Sequence, residues 1–591
     1  MKTLAIIACT AAPAAAFDVQ FNAPATNSKI SESLRDASLV IPLSGDPAKS
    51  PVEILSVAQA EYGRLISVLY EHGFFGPVIS IKIDGREAAG ISPVSPPSKI
   101  SKVVVHIETG PVFGFGSVNV HPLAFKSETP ESFRSGEVAT TGSIRNAVGQ
   151  SITDWREIGH AKATVAEQSI TANHKKHRLD AEILLAPGPR LSFGDLVISG
   201  NSKVKTERIR AIAGLPTGQQ FHPDELDFAT TRLRRTGAFK VATLSEADNI
   251  GPNNTLNVNA QIVEQKPRRF GFGAELSSLD GLEVSSFWMH RNLLGGAERL
   301  RFDAAVSGIG GSNGGPDVEL SSTFTRPATF GPDTDLFITT EIELLDEETY
   351  NANLFNLEAG VHHYASQRRE YTAGVGVQAG RTQSAFGTQT YTILTLPVTA
   401  LHDYRDDKFN PKNGYYGELD VKPFVAVQNS EHGVRTMLDL RGYESIGPDE
   451  RLTFAVRGQL GSVMGASLSQ VPSDFLFYSG GGGTVRGQKF ESLGVPLGGG
   501  LTSGGRSFLG LSGEIRVQTT EKLSLVGFYD LGYIGSEAFP DGNTGTWHSG
   551  AGLGVRYDVG IGPVRFDIAF PVDGPGSNSG TEFYIGIGQA F

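Results

Sequence analysis

The sequence predicts an α+β repeat region followed by an all-β region, a transmembrane β-barrel of ~16 strands. Three observations carry this prediction: an export leader, a period of 78 residues in the first half, and two-residue alternation in the second. With 591 residues the chain exceeds one ordinary domain. Its net charge of -12 argues against a nucleic-acid binder, which would need a basic face. No stretch reaches ~18 consecutive apolar residues, so no transmembrane helix is expected, but a barrel leaves no such mark.

Residues 1–16 read as a signal peptide. Met1-Lys2 precedes an apolar run to about Ala12, and Ala14-Ala15-Ala16 gives small residues before a cut at Phe17. Ile6-Ile7-Ala8-Cys9 has the form of a lipoprotein cleavage site, but the leader ahead of it would be too short. Cys9 is the single cysteine, so the exported chain is expected to carry no disulfide and no thiol chemistry.

The period shows once strand ends are aligned. Gly110-Pro111-Val112-Phe113-Gly114-Phe115-Gly116 matches Gly188-Pro189-Arg190-Leu191-Ser192-Phe193-Gly194, and Pro267 follows Pro189 at the same interval. Each proline ends an alternating run: Val103 to Glu108, Leu179 to Leu185 and Leu256 to Val263. Each repeat also contains a helix that stops at glycine. Ser50-Pro51-Val52-Glu53 is a capping box with proline at the first helical position. Ala58, Tyr62, Leu65, Ile66 and Leu69 then form one apolar face, and Gly73 ends the helix ahead of a strand starting at Phe74-Phe75. Gly159-His160-Ala161 and Gly237-Ala238-Phe239 are the counterparts. The predicted order in each repeat is strand–helix–helix–strand–strand. The repeats fall at 17–110, 111–188 and 189–267, with the barrel at 268–591. No catalytic or metal-binding spacing is found among His106, His160, His174 and His177, and Lys175, Lys176 and Arg178 read as a solvated patch.

From Arg269 the pattern alternates. Phe270, Phe272, Ala274 and Leu276 face one way; Gly271, Gly273, Glu275 and Ser277 face the other. Leu300 to Val306, Leu336 to Leu344 and Val564 to Phe570 repeat the scheme, with charges confined to one set. That suits a lipid-facing outside and a wet inside. Turns are expected at Asn292 to Gly296, Asn410 to Gly414 and Pro571 to Pro575. Glycines crowd the two strands that must meet at closure: Gly271 and Gly273 in the first, Gly586 and Gly588 in the last. Two readings stay open, a weak seam or room for bulky neighbours inside the barrel. Tyr478-Ser479-Gly480-Gly481-Gly482-Gly483-Thr484-Val485-Arg486-Gly487-Gln488 reads as a loop whose arginine can clamp a carboxylate.

The repeats resemble POTRA domains, the periplasmic domains of the outer-membrane assembly superfamily that includes BamA and TamA. Thr484-Val485-Arg486-Gly487 resembles that superfamily's inward loop motif, with Gln488 where an aromatic is usual. Phe528-Tyr529-Asp530-Leu531-Gly532 and Gly513-Glu514-Ile515-Arg516 resemble the wall strands that carry its acidic partners. Asp403-Tyr404-Arg405-Asp406-Asp407 and Gly562-Pro563-Val564-Arg565-Phe566-Asp567 also resemble family segments. The resemblance implies that Arg486 meets Asp530 or Glu514. It also implies that Phe583, Ile585, Ile587 and Phe591 form a terminal sorting signal. Three repeats point to the TamA type. Its implied role is non-enzymatic, inserting or secreting autotransporter-like clients from the outer membrane with a TamB-like periplasmic partner. Unfolded outer-membrane proteins and outer-membrane lipids are the implied contacts, with no cofactor or metal. A two-partner-secretion pore and a lipid-transport component are the alternatives. A lipase fused to a barrel is disfavoured, because no Gly-x-Ser-x-Gly elbow is found in a strand–turn–helix setting.

Overall fold

The computed structural model describes residues 17–591 except 24–27, 45–48, 278–280, 311–313, 429–430, 448, 561 and 576–579. The side chains of residues 275–277 and of Ile587 are also outside the description. The signal peptide therefore lies outside the described residues. The chain divides into two compact units. One runs to Asp195 and includes 216–225 and 247–257; the other holds 196–215, 226–246 and 258–591.

In the first unit, the helix Pro51–Glu71 starts on the expected capping box. Ser50 Oγ accepts from Glu53 N at 3.3 Å, and Ser50 N donates to Glu53 Oε2 at 2.9 Å. Ala58, Leu65 and Leu69 on its inner face are fully buried. They pack on a sheet in the order Asp18–Asn22, Lys102–Glu108, Val78–Ile83, Arg86–Glu87. Phe74-Phe75 does not open a strand. Gly73 is left-handed (φ 86°), and the chain turns through both aromatics before pairing begins at Val78. Phe74 is spent on the first core instead, and Phe75 packs against Phe113 of the second.

The second sheet has the order Gly114–His121, Arg178–Ala186, Thr164–Asn173. This repeat departs from the predicted order, for it has one α-helix, Thr141–Glu157, rather than two. Residues 122–140 form turns instead. Pro122 and Pro130 remove helical donors there, and the polar run Lys126-Ser127-Glu128-Thr129 has no apolar face to bury. The link between repeats is itself repeated: Phe113 N donates to Gly73 O, and Leu191 N to Gly159 O, both at 2.8 Å. Gly73 and Gly159 thus each hold the start of the following repeat.

The second unit contains the helix Thr206–Ala213, the helix Pro223–Arg235 from Leu226 onward, and the strand Phe239–Glu246. That strand edges a sheet ordered Ser192–Ser199, Thr255–Glu264, Phe239–Glu246. Two arginines at the end of the longer helix reach a turn of the barrel. Arg232 donates to Asp333 from Nε (2.9 Å) and Nη2 (2.6 Å), and Arg235 lies over the Tyr364 ring at 3.6 Å. Arg208 Nη2 donates to Pro327 O at 2.5 Å, and Lys205 N to Gly295 O at 2.9 Å.

The remaining sheet is a meander of 17 described strands, from Arg268–Ser277 to Glu582–Ile587. Gly387–Thr395 and Val398–Asp403 both pair with Arg369–Ser384 on one side and Gly414–Ala426 on the other. They are two pieces of one crossing, interrupted at Leu396-Pro397, where proline cannot donate to the ladder. The described strands thus make 16 crossings. Alternation follows the expected sides: Phe272 is 84% and Leu553 71% exposed, whereas Asp530 and Asp567 are fully buried. Turns occupy 292–298 and 404–413. The third expected turn starts late, because Pro571 to Asp573 still belong to the strand Pro563–Asp573, with Pro571 at a bulge opposite Ser549/Gly550.

Candidate functional site: a buried charge cluster under an inward loop

The segment 465–506 leaves the sheet after Leu452–Met464 and returns at Ser507–Gln518. Its base is held by an apolar cluster that includes Phe475, Phe477, Tyr350, Phe424 and Phe508. Its tip is folded by the glycine run. Gly480 has φ 123°, and a Cβ there would sit 1.9 Å from Lys489 O. Thr484 Oγ1 accepts from Gly480 N at 2.8 Å and donates to Gly480 O at 3.0 Å. Arg457 Nη1, on the neighbouring wall strand, donates to Gly483 O at 2.9 Å.

This geometry buries Arg486, 2% exposed, among carboxylates from three wall strands. Nε and Nη2 donate to the two oxygens of Asp530 at 2.7 and 2.9 Å, and the backbone N adds a bond of 3.1 Å. Nη1 donates to Glu514 Oε1 at 2.6 Å and lies 3.5 Å from Asp567 Oδ2. The guanidinium stacks over Phe528 at 3.6 Å. Both sequence-predicted acids therefore meet Arg486 together. Asp567, in the segment Gly562 to Asp567, is a third acid that the motifs alone do not pair with Arg486. Arg516 donates to Glu514 at 2.8 Å, Arg556 pairs with Asp567, and Arg565 lies 3.8 Å from Asp567. Four guanidinium groups thus share three carboxylates, so no carboxylate is left without a cation. The alternation rule could have found Arg516: residues i and i+2 on a strand share a face.

Gln488 replaces the expected aromatic and is fully buried. Its Nε2 donates to Ser549 O at 2.8 Å and Asp573 O at 3.0 Å, so hydrogen bonds seat the tip where a ring would pack. Val485 is fully buried, and Ser479 Oγ bonds His548 Nε2 at 2.7 Å. Gly487 lies against the Phe570 backbone, 2.6 Å from where a Cβ would stand. Its N donates to Tyr584 Oη on the last strand at 3.1 Å, a contact with no sequence signal of its own.

The strands expected at the seam differ from each other. The first, Arg268–Ser277, and the last, Glu582–Ile587, stand at the two ends of the strand order and run beside each other. The last spans six residues and the first ten. Gly271 makes room: Phe287 would meet its Cβ at 2.2 Å. Gly273 faces the Ser285 hydroxyl in the same way, at 2.6 Å. Gly586 faces the Arg565 guanidinium at 3.3 Å. Gly588 is not a strand residue. It is left-handed (φ 94°) and turns the chain inward, where Gln589 Nε2 donates to Asn410 Oδ1 at 2.8 Å. Phe583 and Ile585 are exposed on the outer face, whereas Phe591 is buried against Tyr443 and Ala455. Arg516 Nη2 donates to Phe591 O at 3.3 Å and Nη1 to Pro411 O at 3.4 Å. The expected sorting residues therefore split between two sides of the wall, and the Ile587 side chain lies outside the description.

A wall of alternating strands around a charged interior, preceded by α+β repeats, defines an outer-membrane barrel with periplasmic POTRA domains. The Omp85 superfamily domain matches residues 292–591, and this chain belongs to that superfamily. The POTRA model, described as a surface antigen variable number repeat, matches residues 191–265. The outer membrane protein assembly factor BamA of Nitratidesulfovibrio vulgaris is 22% identical over 466 residues, 74% of this chain and 56% of that protein. The chain thus spans about half the length of this curated relative. Among solved structures, BamA from Haemophilus ducreyi lacking POTRA domains 1-3 matches with a TM-score of 0.61 at 15% identity. That match covers 80% of this chain and 98% of the other. CdiB from Acinetobacter baumannii matches at 0.51 and 12%, covering 82% and 91%.

Proposed function

We propose that this chain is a non-enzymatic assembly factor that passes client polypeptides into or across the outer membrane through its seam. The observation that carries this is the unequal length of the two strands that meet at closure: Glu582–Ile587, with six residues, can cover at most six of the ten in Arg268–Ser277. An unpaired strand edge offers N–H and C=O groups to an extended segment, so a client strand can pair there. The buried cluster around Arg486 supplies the opposite quality. It holds the wall strands 507–518, 523–535 and 563–573 rigid, so that opening is confined to the seam. The periplasmic repeats receive clients, with a TamB-like protein as the working partner. The TamA type is favoured by the number of repeats alone.

The test is a disulfide across the seam. Residues 17–591 contain no cysteine, so cysteine pairs placed at Gly273 and around Gly586 meet no background thiol. Assembly of a reporter autotransporter should stop when the pair is oxidised and resume on reduction. Normal assembly under complete cross-linking would reject the seam and favour export through the lumen, the activity of a secretion pore.

A further inference from the structure

Two hollows of opposite chemistry meet at the periplasmic end of the first wall strand. Alternation places Arg268, Phe270 and Phe272 on one face, and the register sets His290 beside Arg268 and Trp288 beside Phe270. The upper hollow, about 470 Å³, is lined by Phe272, Trp288, Phe302, Ala304 and Leu320, and the carboxylate in its lining, Asp303, is already held by Arg301 Nε at 2.7 and 2.9 Å. Trp288 and Phe302 stand 5.8 Å apart between ring centres and stiffen one side. The lower hollow, about 700 Å³, is lined by Lys203, Lys266, Arg268 and Arg291.

The lower hollow is short of negative charge. Its carboxylate, Glu264, already accepts from Ser202 N, Lys203 N and Val204 N at 2.7, 2.8 and 2.9 Å, and from Ser202 Oγ at 3.0 Å. Among the described residues, no carboxylate lies within 4.0 Å of the charged groups of the four cations. Arg291 Nη1 donates to Lys266 O at 3.2 Å. Burial, and then the charge of Arg269, lower the proton affinity of Arg291.

We infer that this pair of hollows is a binding site for one anionic phospholipid of the inner leaflet. The acyl chain lies in the aromatic groove, and the headgroup phosphate meets Arg268, Arg291, Lys266 and Lys203. An amphiphile fits because cation and aromatics follow one another along a single strand face, in the order that headgroup and chain take on entering a membrane from the periplasmic side. A guanidinium pair also matches phosphate geometry. The site stands at the seam but does not depend on the seam opening.

The test is native mass spectrometry of the full chain in detergent, with equal amounts of dioleoyl-phosphatidylglycerol and dioleoyl-phosphatidylcholine. At ~1 kcal/mol for each cation near a lipid phosphate, the wild type should retain the glycerol lipid about five-fold or more over the choline lipid. Arg268→Gln with Arg291→Gln should abolish that preference. Ala304→Phe, which fills the groove, should reduce retention of both lipids. Heat-modifiable gel mobility confirms that each variant folds. Equal retention of the two lipids by the wild type, or an unchanged preference in the double variant, would overturn the site. A photo-crosslinker at Phe272 in cells should yield an adduct of phospholipid mass; a polypeptide or lipopolysaccharide adduct there would overturn it equally.

Discussion

Arg486 is held by five contacts of different kinds: two oxygens of Asp530, one of Glu514, the near oxygen of Asp567 and the Phe528 ring. Removing the guanidinium leaves buried carboxylates without their central cation, a loss on the order of 3–5 kcal/mol for a buried pair broken on one side. Arg486→Ala should therefore lower the temperature at which heat-modifiable mobility is lost and reduce assembly of the reporter. Lys489→Ala should do neither, since Lys489 has no carboxylate within 4.0 Å among the described residues. Arg486→Lys should behave like the alanine variant, for one ammonium cannot reproduce a two-sided fork. Equal activity of the Arg486→Ala and Lys489→Ala variants would reject the pinning role. At this scale the sequence was informative about ends and silent about middles. The Arg486, Asp530 and Glu514 side chains sat in recognisable motifs. Arg556 and Tyr584 did not, because their part depends on which strands the register sets side by side.

At the scale of elements, the docking of Pro223–Arg235 on the turn before Thr334–Asp346 makes a prediction about pH. Burial raises the Asp333 carboxyl, but bonds from Arg232 and the charges of Arg232 and Arg235 outweigh it and bring it below the ordinary value of 3.8. A lowered carboxylate contributes stability that is complete above its unfolded value and is lost as pH falls through the folded one. The docking should thus be insensitive between neutral pH and about 5, and weaken in more acid solution. Asp333→Asn should reproduce the weakened state at neutral pH, read as faster limited proteolysis between the helix and Arg268. Protection equal to wild type in that variant would show the contact to be idle. Elements with strong local signals were legible: the capping box at Ser50, the strands ending at the spaced prolines, the alternating wall. The missing helix of the second repeat was not, because the order expected of every repeat includes two helices, whereas residues 122–140 carry two prolines and no apolar face. Nor was Gly588 legible as a bend, since glycine is equally at home in a strand and at its end.

Across the whole molecule, order is distributed unevenly around the wall. The strands Ser507–Gln518 and Leu523–Gly535 pair along their full length and carry two of the buried acids. The strand Arg268–Ser277 meets a last strand of only six residues and carries Phe270, 64% exposed. Amides of 507–535 should therefore exchange far more slowly than those of 268–274, since local opening needs least energy where partners are fewest. Uniform exchange around the wall would contradict a seam. The crossing number followed from length alone, because a membrane sets strand length and the chain divides by it. The split crossing at Leu396-Pro397 is a local exception that length cannot reveal.

The position of Arg486 along the chain has one more consequence. Its carboxylates all come after it, at 514, 530 and 567, as does Tyr584. During synthesis and export the arginine emerges before any of them. Each of these carboxylates is therefore made when its counter-ion already exists in the chain. The loop is thus synthesised ahead of the wall it braces, and no stage of synthesis holds those three acids without the arginine that neutralises them.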